Sequence, residues 1–186
     1  LTTRGNANDA TVLGDGGQVD ITTDGTILIA ESLDARGGVA GAGQAGRPGG
    51  LVDLDGATVS VEDISTSGSD ADTGAGGDAG TITVDADDAA APTITLRGDL
   101  TAAGGTGSGA ADGNGAAILI GNDLTGGTAE DSINFGAITG GQLDIDTTGD
   151  TDGDVTFDGI INGATQRLFI EAGAANVVLG DDRDDT

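Results

Sequence analysis

Short runs of alternating apolar and polar residues recur along the whole chain, separated by turns rich in Gly, Asn and Asp. The stretch GDVTFDGIINGATQRLFIEAGAANVVLGD, Gly153 to Asp181, shows the unit most plainly. Val155-Thr156-Phe157 reads apolar-polar-apolar, the period of a strand with one buried face. Leu168-Phe169-Ile170 and Val177-Val178-Leu179 are runs of the same length. Each is too short for a stable helix, and glycine punctuates every interval. The pattern predicts an all-β chain of short strands.

A longer phrase recurs as TILIAESLDARGG from Thr26, TVSVEDISTSG from Thr58, TITLRGDLTAAGG from Thr93, AILIGNDLTGG from Ala117, SINFGAITGG from Ser132 and DVTFDGIING from Asp154. A shorter one precedes several of these: GGQVDIT at Gly16, GGLVDLD at Gly49, AGTITVD at Ala79 and GGQLDID at Gly140, with RLFIEAG at Arg167 as a last copy. A stable unit at variable spacing is the signature of stacked repeats, and predicts a parallel β-solenoid of about five to six coils. Residues 1–186 are then one segment. In-register stacking places Val19, Val52, Ile82 and Leu143 in one apolar ladder, and Ile27, Val59, Ile94, Ile118, Ile133 and Val155 in another. The glycine-rich stretches Gly37–Gly50, Ser67–Gly80 and Gly104–Gly115 become mobile lateral loops. An antiparallel sandwich, which also uses short strands, is the alternative architecture.

Composition complicates this picture. Leu, Ile, Val and Phe supply 40 of 186 residues and the formal charge is -26, close to the border of intrinsic disorder. The regular alternation argues for a folded chain, because a disordered polar tract has no reason to keep it. The charge comes from 28 Asp against 4 Glu, with 6 Arg and no Lys. Many turns account for part of the aspartate. Solubility in strong salt, where self-repulsion is screened, and calcium, which favours loop carboxylates, are two further causes. Both suit an exterior location. Nucleic-acid binding is excluded in practice, since phosphate contacts need clustered cations. The chain has no Cys, hence no disulfide or thiolate metal site, and no apolar run long enough for a membrane-spanning helix.

GDVTFDGIINGATQRLFIEAGAANVVLGD, together with GGDAGTITVD…TITLRGDLTAAGG at Gly76–Gly105, resembles the repeats of filamentous-haemagglutinin-type large exoproteins. The resemblance spans Gly14 to Asp181 and implies a right-handed parallel β-helix in a bacterial surface or secreted adhesin. That family's amino-terminal secretion domain is not expected within residues 1–186, which leaves the export route open, and the heavy Asp content with no Lys points to a saline source.

The ends add a further expectation. ATVLGD at Ala10–Asp15 and NVVLGD at Asn176–Asp181 are nearly the same phrase, with no polar cap at either end. LTTRGNANDA carries neither an initiator Met nor a signal peptide, so the chain is read as mature, processed or excised from a longer array. Uncapped strand edges must be covered, charged or paired, which predicts end-to-end or lateral self-assembly. Residues 182–186 read as a solvated acidic tail.

Candidate chemistry is sparse. Asp150, Asp152 and Asp154, in the densest carboxylate cluster, are weak calcium candidates; they lack the spacing and late Glu of an EF-hand, and a solvated turn is the favoured reading. Ser69-Asp70-Ala71-Asp72 and Asp85-Ala86-Asp87-Asp88 read as solvated loops. With no His or Cys, the usual base and the thiol nucleophile are missing, and no catalytic residue is assigned. Arg36, Arg97 and Arg167 are expected to pair with carboxylates. Phe169 either faces outward as a lateral contact or turns inward at a bend.

The sequence therefore predicts a non-enzymatic extracellular, structural or adhesive protein: stalk, spacer or filament subunit of a cell-surface or matrix assembly. It requires no cofactor, calcium being an optional ligand, and its expected partners are further copies of itself, with surface polysaccharide as a second candidate. The competing readings are a carbohydrate-active β-helix enzyme, a polysaccharide lyase or hydrolase, and a calcium-dependent carbohydrate-binding module.

Overall fold

The computed structural model describes residues 1–5, 14–86, 92–121, 132–135, 142–162 and 167–179. Among these residues every regular element is a strand, and no helix is long and apolar enough to cross a membrane. Fourteen strands follow in order: β1 (Val19–Ile29), β2 (Leu33–Asp34), β3 (Val52–Val61), β4 (Ile64–Ser65), β5 (Ile82–Asp85), β6 (Thr93–Leu96), β7 (Leu100–Thr101), β8 (Ile118–Ile120), β9 (Ser132–Phe135), β10 (Gln142–Asp146), β11 (Val155–Phe157), β12 (Ile160–Asn162), β13 (Arg167–Glu171) and β14 (Val177–Leu179).

All pairings between these strands are parallel, which removes the antiparallel sandwich. The strands make a nine-stranded sheet in the order β12-β9-β6-β3-β5-β8-β11-β14, with β1 on β3, and a five-stranded sheet in the order β13-β10-β7-β4-β2. The first half of β3 pairs with β5 and its second half with β6, so β3 carries the larger sheet around a bend. The bend is marked by a bulge: Asp24 and Gly25 of β1 lie between Thr23 and Thr26, where β3 has only Ala57.

The expected right-handed β-solenoid of five to six coils with lateral glycine loops is corrected by this arrangement. β1 and β3 run through the bend, so two ladders fuse into one curled sheet instead of forming separate faces of equivalent coils. The smaller sheet stands beside it, and the two share one hydrophobic core. Fully parallel sheets of this kind ordinarily need both faces covered, as in α/β proteins. Here buried residues of the five-stranded sheet join those of the larger one in a single core cluster.

The core is a set of aliphatic columns. Val19, Val52, Ile82, Ile118, Val155 and Val177 follow one another across the larger sheet, and Ile27, Val59, Ile94, Ile133 and Ile161 form its second column. Leu33, Ile64, Leu100, Ile145 and Ile170 run through the smaller sheet. The sequence places Val19, Val52 and Ile82 correctly. Leu143 instead pairs with Leu168 in the smaller sheet, and Ile118 and Val155 belong to the first column. Phe135 and Phe157 meet edge-to-face with ring centroids 6.2 Å apart, filling the wider part of the core.

The glycine-rich stretches are not loops at the side of the sheets. Their backbones bond to one another at three-residue intervals: the N–H groups of Gly46 and Gly49 donate to Ala75 and Asp78, and those of Gly76 and Ala79 to Ala111 and Asn114. Across the fold of each stretch, Gly77 and Gly80 donate to Ser69 and Thr66, and Gly113 and Ala116 to Gly105 and Ala102. A period of three is that of an extended polyproline-II chain, whose donors point in successive directions around its axis. Packing this close needs glycine: a Cβ at Gly77 would lie 2.0 Å from the Arg47 carbonyl oxygen, and one at Gly113 1.8 Å from that of Gly77. The segments predicted to be mobile are thus bound into a third layer.

Ala10–Leu13 of the ATVLGD phrase, Asp87 and Asp88, and the acidic tail at 182–186 lie outside the described residues.

Candidate functional site

Asp150, Asp152 and Asp154 occupy the turn that joins β10 to β11. The turn is fixed from inside by Thr147, whose buried hydroxyl donates to the Gly153 carbonyl at 2.6 Å. Asp146 accepts from both the N–H and the hydroxyl of Thr148, and Asp152 Oδ1 accepts from Gly149 N–H at 3.1 Å. The Asp150 N–H donates to Gly113, tying the turn to the glycine layer.

The three candidate residues line one shallow depression with Thr151, Ala174 and Ala175. Two of the three carboxylates are already engaged. Asp152 Oδ2 accepts from the Ala174 N–H at 2.7 Å, and Asp154 Oδ1 from the Asn176 N–H at 2.8 Å. Both reach across to the backbone of the next chain pass, 22 residues on. Among the described residues no three carboxylates converge as a metal site. The arrangement holds one backbone against the next.

The same device recurs through the molecule. Asp63 accepts from the N–H of Asp99, Asp70 from Thr106 and Asp78 from Asn114, each 36 residues apart. Asp99 in turn accepts from Asp144, and Asp72 from Gly43. Neighbouring strands lie about 4.8 Å apart, a gap that the one-methylene arm of aspartate spans and the longer arm of glutamate overshoots. The excess of Asp over Glu therefore has a structural cause as well as an electrostatic one. The sequence reading treats Asp70 and Asp72 as solvated loop charges and passes over Asp63, Asp78 and Asp99. The repeated offset of 36 is the signal available to find them.

Of the arginines expected to pair, Arg36 does so: its Nε and Nη2 donate to the two oxygens of Asp34 at 2.9 and 2.8 Å. This hydrogen-bonded guanidinium holds the Asp34 carboxyl below its usual range, against the opposing effect of burial. Arg97 and Arg167 are exposed. Arg4 and Arg36 line a second depression with Gly37, Val39, Ser69 and Asp70. On the larger sheet Asp53 stands next to Asp20 of β1, and burial together with that like charge pushes its carboxyl up. Phe169 takes the outward position of β13 and is 48% exposed.

No protein-family model, curated protein or solved structure matches this chain.

Proposed function

We propose that the chain is a structural or adhesive component of an extracellular assembly, serving as stalk, spacer or filament subunit at a cell surface or in a matrix. The observation that carries this reading is the use made of the acidic residues. Asp63, Asp70, Asp78, Asp152 and Asp154 each accept a hydrogen bond from the backbone of a neighbouring stretch and so hold successive stretches together. Cross-strand hydrogen bonds in both sheets and in the glycine layer run between successive passes of the chain, so a load along that direction is shared among many bonds. The large excess of carboxylates over arginines keeps such a particle soluble in salt. The resemblance to haemagglutinin-type exoprotein repeats supports the exterior location, with surface polysaccharide as a further partner.

Antibodies raised against the chain test this on intact cells of its source. Surface label that is lost on protease shaving is expected; label found only after lysis contradicts the reading. Acidic polysaccharides incubated with the chain are expected to release no reducing or unsaturated ends, with or without calcium, and release would favour the enzyme reading instead.

A further inference from the structure

The chain carries six Asp–Gly pairs among its described residues. In such a pair the aspartyl side chain can close on the next backbone nitrogen, because glycine puts no Cβ in its path. Most of these nitrogens are held and crowded. The N–H groups of Gly16, Gly113 and Gly153 donate to the carbonyls of Pro48, Gly105 and Thr147 at 2.7–2.9 Å. A Cβ at any of the three would fall within 2.1 Å of a backbone oxygen, so a side chain has no room to swing across. Gly56 and Gly159 are buried. In the related pair Asn114–Gly115 the glycine N–H donates to the Thr151 carbonyl at 2.7 Å. Asp24–Gly25 differs from all of these. Both residues are exposed, and they are the two that the bulge in β1 leaves without a register partner on β3. The Gly25 N–H donates to the Thr23 hydroxyl at 3.3 Å, a side-chain partner instead of a backbone one. Beyond its chain neighbours, that oxygen is the one heavy atom a Cβ at Gly25 would meet within 4 Å, at 3.5 Å.

We infer that Asp24 is a site of spontaneous conversion to isoaspartate, a covalent modification that needs no enzyme. The Gly25 nitrogen attacks Cγ of the Asp24 carboxyl and gives up its proton. A carboxyl oxygen leaves as water, and a succinimide ring remains. Water then adds to the former main-chain carbonyl and breaks its bond to the nitrogen. The main chain now runs through Cβ and Cγ of residue 24, and the α-carboxylate becomes the side chain. One water leaves and one returns, so composition is unchanged and neither oxidant nor reductant is required. The bulge also lets the fold keep the product. Thr23 stays beside Gly56 and Thr26 beside Thr58, while the extra main-chain carbon falls in a segment that already holds one residue more than β3. In the other pairs closure must wait for local opening, because the ring cannot form while the glycine is bonded and enclosed. The conversion therefore concentrates at one position and records the age of the molecule. It does not rest on the stalk or filament reading.

To test this, the unmodified chain is aged in warm neutral buffer and mapped with a protease that cuts before aspartate but skips isoaspartate. An isoaspartate-specific carboxyl methyltransferase supplied with labelled S-adenosylmethionine counts the same sites independently. Isoaspartate is expected to form at residue 24 about tenfold faster than at Asp15, Asp112 and Asp152. In denaturing urea that advantage is expected to vanish, since every pair is then open. Gly25→Ala, whose methyl hinders the attack, is expected to slow conversion at residue 24 about tenfold with an unchanged circular dichroism spectrum. Deamidation at asparagine raises the mass, which isomerisation does not, so the two are read apart. Equal rates at the four aspartates in the folded chain, a faster rate at Asp112 or Asp152, or an undiminished rate in Gly25→Ala overturns the proposal. The same preference for residue 24 in urea overturns it too, because the fold would then have no part in it. Loss of cell-surface label leaves the modification standing, and its failure leaves the surface-labelling result standing.

Discussion

The strand columns and the glycine layer solve one problem by opposite means. Both must hold successive passes of the chain side by side. In the columns, Ile82, Ile94, Ile118 and Phe157 are fully buried and the attraction is between side chains. In the glycine layer, Gly46, Gly77, Gly105 and Gly113 have no side chain to bury, and backbone meets backbone directly. Columns tolerate a change of shape if volume is kept; at Gly46, Gly77, Gly105 and Gly113 an added Cβ would lie within 2.2 Å of a backbone oxygen. A chain poor in large apolar residues thus extends its ordered structure beyond what its apolar content would support.

The largest effect should come from the columns. Phe157→Ala removes a fully buried ring that packs on Phe135 and is expected to cost about 3–5 kcal/mol in urea unfolding. Gly77→Ala should follow, at about 1–3 kcal/mol, because the new methyl meets the Arg47 carbonyl and cannot be accommodated by rotation. Gly25→Ala is the control: its Cβ would meet only the Thr23 hydroxyl at 3.5 Å, and a change within about 0.5 kcal/mol is expected. If Gly77→Ala proves as mild as Gly25→Ala, the contrast between the two layers fails.

The aspartate clamps should rank next. Asp78→Ala is expected to lose about 1 kcal/mol, and Asp78→Glu to recover little of it, since the longer arm overshoots the Asn114 N–H. Full recovery by glutamate would show that charge, not reach, selects aspartate.

Titration sharpens the smallest effects. The Asp34 carboxyl sits below its unfolded value because Arg36 hydrogen-bonds it, so its contribution is complete above the unfolded value and is lost as pH falls through the folded one. Arg36→Gln should flatten that acid limb. Asp53 is shifted the other way, by burial and by Asp20; its ionised form opposes folding, and the opposition is relieved as pH falls. Asp53→Asn is therefore expected to stabilise the protein near neutral pH by about 0.5 kcal/mol, with the gain shrinking as the pH falls through the carboxylate range.

How much of this was legible in the sequence follows from what leaves a side-chain trace. Val19, Val52 and Ile82 could be placed in one ladder because alternation records which face is buried. Alternation does not record which sheet a strand joins: GGQLDID reads like GGQVDIT, yet Leu143 lies in the smaller sheet. The curl of the larger sheet depends on β3 continuing through Gly56, and nothing in TVSV distinguishes a continuing strand from a new one. Backbone-to-backbone packing leaves almost no pattern. The spacing of Gly46 and Gly49, and of Gly74, Gly77 and Gly80, was its one trace, and it reads as low complexity until the hydrogen bonds are known. The turn at Asp150–Asp154 was visible as a carboxylate cluster, but the amides that Asp152 and Asp154 reach lie 22 residues away.

Amide hydrogen exchange under native conditions tests the account most directly. The N–H groups of Gly77, Gly105 and Gly113 donate to Ser69, Gly77 and Gly105, and are expected to be protected to a degree comparable with Val52 and Ile82 in the columns. Exchange of those glycine amides at the rate of an open chain, while Val52 and Ile82 stay protected, would contradict it.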